Sequence, residues 1–260
     1  MTIKLVATDL DGTLLNSKKE VPTDFKKWVL DHPEIKTVIA SGRQYQTIYN
    51  DFKECAKNVC FIAENGAFIF EKNKLIYSIP LLFDDVVAIV EPILKCEGVF
   101  PLICGKNSAY MPKVKSTAAN KEAIMYYANL EIVDDVFEAA KSDVIAKIAL
   151  FIEDKRAKEF YNSYKVPNDS LCKTISSDSW IDVSSIAAHK GAAIKKLQEM
   201  YGISSDECMA FGDYMNDATM LCACTESYCM ENGHEDLKAM AKHVASSNDD
   251  DGVMKVLRNL

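Results

Sequence analysis

The first 63 residues alternate between short apolar runs and segments in which apolar residues recur every three or four positions. The short runs predict buried strands at 3–8, 36–40 and 59–63, and the periodic segments predict helices at 23–30 and 45–56. Strands that alternate with helices in this way are typical of a parallel sheet covered on both faces. Asn65-Gly66 then leads into two apolar runs that predict a hairpin.

The pattern changes over residues 82–186, where strands follow one another more often. The predicted elements of this segment are helices at 84–96, 118–128 and 155–164 and strands at 99–104, 108–111, 145–152, 171–175 and 180–183. The first pattern returns with a helix at 190–201 and a strand at 208–211. We therefore predict a Rossmann-like α/β core, residues 1–81 and 187–260, interrupted by an inserted α+β cap domain, residues 82–186.

The composition of the chain indicates which binding partners and which cellular compartment to expect. The chain has 260 residues, 48% of them apolar, and a formal net charge of -8 with no dense Lys/Arg run, which argues against nucleic acid as a partner. It has nine cysteines without metal-ligand spacing, and neither a leader pattern nor an apolar run of membrane-spanning length. We expect a cytoplasmic protein that does not bind membranes.

Candidate chemistry begins where the first predicted strand ends. The run Leu5–Thr8 is followed by Asp9 and Asp11, two carboxylates one residue apart, and then by Gly12. Alternation along a strand starts both acids on the same side, and the glycine lets the chain turn away. An Asp-Gly turn with solvated acids is the plain alternative.

Two other strand ends carry polar groups of the same kind. Ser41-Gly42-Arg43 follows the strand at 36–40, and a segment rich in acids, Gly212–Asp217, follows the strand at 208–211. Lys190 opens the helix that leads into that strand. Ligands of open parallel sheets bind beyond the carboxyl ends of the strands, so these groups are predicted to share one site.

The predicted site has too many acids to be stable alone. Two unit charges about 4 Å apart repel by about 4 kcal/mol at an effective dielectric constant of about 20. A divalent cation would relieve the repulsion among Asp9, Asp11, Asp213 and Asp217, and a set of oxygen ligands favours Mg²⁺ over zinc. With the cation and Lys190 present, the site suits a phosphate dianion and phosphoryl transfer.

Two acids allow two roles in such a transfer. Asp9, held at the end of a strand, is predicted to attack phosphorus and form an aspartyl-phosphate. Asp11, with a pKa raised by its acidic neighbours, is predicted to protonate the departing oxygen and then deprotonate a water.

These motifs, in this order, resemble the four motifs of the haloacid-dehalogenase-like (HAD) superfamily. The matching residues are Asp9-Leu10-Asp11-Gly12-Thr13, Ser41-Gly42-Arg43, Lys190-Gly191 and Gly212-Asp213-x-x-Asn216-Asp217. The long insertion, preceded by Glu64-Asn65-Gly66-Ala67 and followed near the end by Asn248-x-x-Asp251-Gly252-Val253, is similar to that of the Cof-type phosphatases, which carry a large α+β cap. The resemblance covers essentially the whole chain.

The resemblance implies a role for each matching residue. Asp9 would be the nucleophile and a Mg²⁺ ligand, Asp11 the acid/base and a ligand through its backbone carbonyl, and Asp213 the remaining protein ligand. The groups implied to hold the phosphoryl oxygens are Ser41, Lys190, Asn216 and the backbone at Leu10 and Gly42. Asp217 would bind the metal through water or orient its ligands, and Thr13 would orient the first loop.

We therefore predict a Mg²⁺-dependent phosphatase for small phosphorylated metabolites, with sugar phosphates favoured and the cap excluding water from the bound substrate. A sugar phosphomutase of the same superfamily would use the same motifs. A phospho-accepting signalling domain also has acids at strand ends and a lysine, but it needs neither a general acid nor the insertion. The sequence leaves the particular metabolite and the oligomeric state open.

Overall fold

The computed structural model describes residues 2–260, which divide into two compact units. The core unit runs up to Tyr77 and resumes at His189–Leu260, and the inserted unit is Ser78–Ala188. The helices and strands, in chain order, are β1 (Leu5–Thr8), α1 (Phe25–Asp31), β2 (Lys36–Ala40), α2 (Tyr45–Asp51), β3 (Val59–Ala63), β4 (Phe68–Glu71), β5 (Lys74–Ser78), α3 (Phe83–Ile93), β6 (Val99–Gly105), β7 (Ala109–Pro112), α4 (Thr117–Tyr126), β8 (Leu130–Val133), α5 (Val136–Lys141), β9 (Ile145–Ile152), α6 (Ala157–Ser163), β10 (Leu171–Ser177), β11 (Trp180–Ser185), α7 (Lys190–Tyr201), β12 (Cys208–Gly212), α8 (Ala218–Ala223), β13 (Glu226–Met230), α9 (Glu235–Met240), β14 (His243–Ala245) and α10 (Gly252–Leu257).

The core unit is built on one sheet with the strand order β14-β13-β12-β1-β2-β3-β4-β5. The six strands from β14 to β3 pair in parallel, and β4 pairs antiparallel with β3. Both faces of β1 are buried, which explains its continuous apolar run. The chain proceeds from β1 outward through β2 and β3, and later from β12 outward through β13 and β14. The strand order therefore reverses between β1 and β12, the place where open α/β sheets bind ligands.

Apolar packing fixes the sheet between helices. On one face, a buried cluster joins residues of β1, β2, β3 and β12 to side chains of α7, α8 and α9, among them Leu5, Ile194, Leu197, Leu221 and Leu237. On the other face, aromatic contacts link α1 to the sheet: Phe25 meets Phe52 edge-on, and Phe52 contacts Phe61 of β3. Helices on both faces of a mainly parallel sheet confirm the predicted α/β fold class.

The inserted unit has its own sheet, in the order β10-β11-β9-β6-β7-β8. Its pairs are antiparallel except for β7 with β8. Helices α3, α5 and α6 contribute to one buried cluster of this sheet and α4 to another. The α+β character predicted for the insertion is confirmed, while the predicted boundaries at 81/82 and 186/187 stay predictions.

Candidate active site

Asp9 lies directly after β1, at the reversal of the strand order. Its backbone N–H donates to the carbonyl of Phe211 in β12 (3.0 Å), which holds the end of β1 against the end of β12. Its side chain is almost completely buried. A carboxylate in this position has little solvent to stabilise its charge, so burial favours its protonated form unless neighbouring cations oppose it.

Lys190, the first residue of α7, is the cation of the site. Its ammonium is fully buried and donates to Asp9 Oδ1 (2.5 Å) and to Asp217 Oδ1 (2.6 Å). Asp217 is fully buried as well. One ammonium cannot neutralise two carboxylates, so this buried group carries an excess of negative charge when both acids are ionised.

Asp213 and Asp217 are held by backbone and hydroxyl donors of the loops beside them. The backbone N–H groups of Asp213 and Tyr214 donate to Asp217 Oδ2 at 3.0 and 3.2 Å. Thr13 donates its hydroxyl to Asp213 Oδ1 at 3.1 Å. The predicted orienting role of Thr13 stays a prediction, and this contact is the geometry that supports it.

Three carboxylates of the described residues fit a metal ion: Asp9, Asp213 and Asp217 each offer an oxygen, and these atoms lie within 4.8 Å of one another. Burial, opposed by Lys190 and aided by the charge of Asp217, raises the pKa of Asp9 to about 8. Burial, again aided by Asp217, raises the pKa of Asp213 to about 6. An all-oxygen set that is buried at Asp9 and Asp217, with raised pKa values at Asp9 and Asp213, suits a hard divalent cation, whose charge would favour the ionised forms.

The side chain of Asp11 has a different environment. Arg43 donates to both of its carboxylate oxygens, at 2.7 and 2.5 Å, and Lys19 donates to Oδ1 at 2.7 Å. Burial opposes ionisation of Asp11, but these hydrogen bonds outweigh it and lower its pKa. The prediction that neighbouring acids raise the pKa of Asp11 is therefore wrong for this arrangement, because two cations contact the carboxylate.

The other predicted phosphate-holding groups lie at the ends of neighbouring strands. Ser41 follows β2 and is buried, and its hydroxyl accepts from the backbone N–H of Arg43 (3.2 Å). Gly42 is the next residue, and Leu10 lies buried between the two acids of the first motif. Asn216 lies in the 3-10 turn Met215–Asp217 and donates to Asn65 Oδ1 (3.3 Å).

Sequence reasoning assigned no role to three residues that contact this site: Lys19, Arg43 and Asn65. Arg43 and Asn65 belong to the quoted motifs, so their positions carried a signal. Lys19 is exposed and eight residues from Asp11, and nothing in the pattern of the chain distinguishes it from other surface lysines.

His189 precedes α7 and caps its N-terminal end, next to Lys190. Its Nδ1 accepts from the backbone N–H of Ala192 (3.1 Å) and lies 3.1 Å from the hydroxyl of Thr219. Burial, together with the charge of Lys195, lowers the pKa of His189 below its ordinary value of 6.5. The hydrogen bond that caps the N-terminal end of α7 therefore requires the neutral imidazole of His189.

Because protonation of His189 breaks this helix-capping hydrogen bond, the protein should lose stability as the pH falls. The unfolded chain binds a proton at residue 189 more readily than the folded chain, so the contribution of His189 is present above about pH 6.5 and is lost as the pH falls through the lower folded value. We expect wild type to lose more free energy of unfolding between about pH 7.5 and about pH 5 than His189→Asn, whose amide caps the helix without titrating. Urea unfolding at both pH values measures the difference, and equal losses would contradict the assignment.

The family model described as haloacid dehalogenase-like hydrolase matches residues 6–257. The chain belongs to the haloacid dehalogenase-like hydrolase family, as the motifs predicted. Its enzyme class is that of a phosphatase, the activity for which its relatives are named.

Among the relatives, the chain is 32% identical to the 5-amino-6-(5-phospho-D-ribitylamino)uracil phosphatase YbjI of Escherichia coli, covering 99% of this chain and 96% of the relative. It is 27% identical to the phosphatase YwpJ of Bacillus subtilis, covering 99% and 100%. Among solved structures, SMU.1108c of Streptococcus mutans superposes with a TM-score of 0.85 at 29% identity, covering 99% and 98%. The subclass IIB sugar phosphatase BT4131 shares the fold, with a TM-score of 0.78 at 24% identity and 98% of each chain covered.

None of the helices in residues 2–260 combines the length and the apolar character needed to cross a membrane.

Proposed function

We propose that the protein is a Mg²⁺-dependent phosphatase that hydrolyses small phosphate monoesters through an aspartyl-phosphate at Asp9. The observation that carries the proposal is the buried ammonium of Lys190, which contacts the carboxylates of Asp9 and Asp217 together. Lys190 places a positive charge beside the carboxylate of Asp9 at the end of β1, and this charge attracts a phosphate dianion.

The reaction divides into two steps. In the first, an Asp9 oxygen bonds to phosphorus while the ester P–O bond breaks, and Asp11 donates a proton to the departing oxygen. In the second, a water oxygen bonds to phosphorus as Asp11 takes its proton, and the bond between phosphorus and Asp9 breaks to release phosphate. Lys190, Ser41 and Asn216, with the backbone N–H groups of the loops after β1 and β2, hold the phosphoryl oxygens.

The carboxylates of Asp9, Asp213 and Asp217 and, as the resemblance implies, the backbone carbonyl of Asp11 would hold the Mg²⁺. When bound, this ion supplies positive charge that offsets the charge on the transferring group and on the buried acids. Asp217, predicted to bind the metal through water or to orient its ligands, is included because its carboxylate offers an oxygen within 4.8 Å of those of Asp9 and Asp213. Asp217 therefore acts in the proposal as a ligand or as the partner that orients Lys190.

The two cations beside Asp11 set a requirement for the first step. Lys19 and Arg43 favour the ionised form of Asp11, which suits the base of the second step. To donate a proton in the first step, Asp11 has to exchange at least one of these hydrogen bonds for a contact with the departing oxygen. Lys19 is the partner that can leave more readily, since its side chain is 61% exposed whereas that of Arg43 is 27% exposed.

We propose small phosphorylated metabolites as the substrate class, with sugar phosphates first. Relatives named for 5-amino-6-(5-phospho-D-ribitylamino)uracil suggest a second candidate, in which a phosphorylated polyol chain carries a pyrimidine ring. The cytoplasmic location stays part of the proposal, and it accords with the free thiols of all nine cysteines in residues 2–260.

A panel of phosphorylated metabolites tests the proposal, with release of inorganic phosphate measured in Mg²⁺ and again after chelation by EDTA. We expect turnover of at least one sugar phosphate or of the ribitylaminouracil phosphate in Mg²⁺, and a loss of about 100-fold or more with EDTA. Turnover that is unchanged by EDTA would contradict the metal assignment. Phosphate transfer to a second sugar without net release would indicate the phosphomutase, and a stable phosphoprotein would indicate the signalling domain.

A further inference from the structure

The 3-10 turn Glu64–Gly66 follows β3 and has an unusual backbone. Its three residues have positive φ angles in succession, 50°, 55° and 106°. A left-handed conformation is costly for residues with a side chain, and asparagine tolerates it better than most. Strained backbone of this kind persists where surrounding contacts fix it, and it is concentrated at functional sites.

Backbone hydrogen bonds attach this turn to the loop after β2. The N–H of Asn65 donates to the carbonyl of Ser41 (3.0 Å), and the N–H of Glu64 donates to the carbonyl of Arg43 (3.2 Å). The side-chain amide of Asn65 packs against Gly42, where an added Cβ would lie 3.0 Å from both its nitrogen and its oxygen. The turn therefore packs against the loop after β2, which carries two of the proposed phosphate-holding groups, Ser41 and Gly42.

The same turn also contacts the third and fourth motifs. A Cβ on Gly66 would lie 2.4 Å from the carbonyl group of His189 and 2.9 Å from the backbone nitrogen of Lys190. Asn65 Oδ1 accepts a hydrogen bond from Asn216 Nδ2 at 3.3 Å. The turn Glu64–Gly66 therefore contacts the second, third and fourth motifs.

We propose that Asn65 is a positioning residue for phosphate binding, acting through Asn216. The inference rests on the proposed function. A side-chain amide has two N–H donors and one oxygen, and it serves a phosphate only if its nitrogen faces the anion. By accepting one N–H of Asn216, Asn65 fixes which end of that amide is the donor end and leaves the second N–H for a phosphoryl oxygen.

Asparagine at position 65 meets two requirements: it tolerates a left-handed backbone, and its side-chain oxygen accepts the hydrogen bond from Asn216. Glycine would keep the left-handed backbone but lacks the acceptor, and alanine would lack the acceptor and strain the turn. Aspartate would keep an acceptor but would add a negative charge beside the groups that bind the phosphate dianion. Asn65→Gly is therefore the variant that removes the side-chain contact with the least change in backbone.

The first experiment compares Asn65→Gly with Asn73→Gly. Asn73 also has a left-handed backbone (φ 63°), and its Oδ1 accepts a hydrogen bond from the hydroxyl of Tyr45, but it lies in the turn between β4 and β5. We expect Asn65→Gly to raise KM and the inhibition constant of inorganic phosphate about tenfold, with a smaller effect on kcat, because the lost hydrogen bond serves phosphate binding. We expect wild-type constants for Asn73→Gly. Wild-type constants for Asn65→Gly would overturn the proposal.

A double-mutant cycle with Asn216→Ala separates positioning from general damage to the fold. If Asn65 acts through Asn216, the double variant should bind inorganic phosphate within about twofold of Asn216→Ala alone. Effects that multiply would overturn the proposal, because they would show that Asn65 acts independently of Asn216. A wild-type protein that hydrolyses no phosphate ester in Mg²⁺ would instead contradict the proposed function, and direct binding of inorganic phosphate would still test Asn65.

Discussion

Replacement of Asp9 by Asn is expected to reduce kcat by about 10⁴-fold or more, because an amide is a poor nucleophile toward phosphorus and a poor metal ligand. The variant should remain folded. The amide oxygen of an asparagine can still accept the hydrogen bond from Lys190, and the substitution removes a buried acid whose ionisation burial disfavours. Steady-state phosphate release and thermal unfolding measure the two expectations.

Asp250→Asn is the matched control for this variant, because it makes the same chemical change at an exposed carboxylate of the same unit. It should have wild-type kinetics. Substantial turnover by Asp9→Asn, beyond what contaminating wild type could supply, would contradict the role of Asp9 as the nucleophile.

Replacement of Gly12 by Ala is expected to reduce kcat/KM by about 100-fold or more, because an added methyl group collides with a proposed metal ligand. The φ angle of Gly12 is +82°, and a Cβ there would lie 2.3 Å from Asp213 Oδ2. Either Asp213 moves away from the carboxylate cluster or the loop after β1 shifts. Both movements disturb the geometry between Asp9 and Asp213, and the Mg²⁺ concentration needed for half-maximal activity should rise as well.

Gly202→Ala separates this collision from backbone strain. Gly202 also has a left-handed backbone (φ 63°), at the C-terminal end of α7, and a Cβ there would meet no atom within 4 Å. This control should lose about 1 kcal/mol of stability and keep its catalytic constants. Similar losses of activity in both variants would show that strain, and not contact with Asp213, explains the effect of Gly12→Ala.

The parallel sheet and the meeting of strand ends could be predicted from sequence because burial on both faces leaves continuous apolar runs. Such a run ends at Thr8, and the polar residues that follow it mark the carboxyl end of β1. The same reasoning missed β8, a strand of four residues that are partly buried or exposed, because so short a segment does not extend an apolar pattern far enough to be recognised. Helix α5, with six residues, is too short for a helical period to be recognised.

Contacts between residues that lie far apart along the chain were harder to predict from the sequence. The sequence predicted that Asp217 binds the metal through water or orients its ligands, because its exact place among the carboxylates depends on how the 3-10 turn after β12 folds back toward Lys190. The lowered pKa of Asp11 depends on two cations, one eight and one 32 residues away along the chain. The acids and Lys190 could be identified from the motifs, but the contacts of Lys19 and Arg43 with Asp11 could not.

Trapping the phosphorylated enzyme is the decisive test of covalent catalysis by Asp9. Asp11→Asn should still accept phosphate from an aryl ester, whose leaving group needs no proton, but should be slow to activate the water of the second step. With a ³²P-labelled aryl phosphate and Mg²⁺, acid quenching should give close to one label per chain, released by hydroxylamine and mapped to the peptide that contains Asp9. Label on another residue, or hydrolysis by this variant with no protein-bound label at any quench time, would contradict covalent catalysis by Asp9.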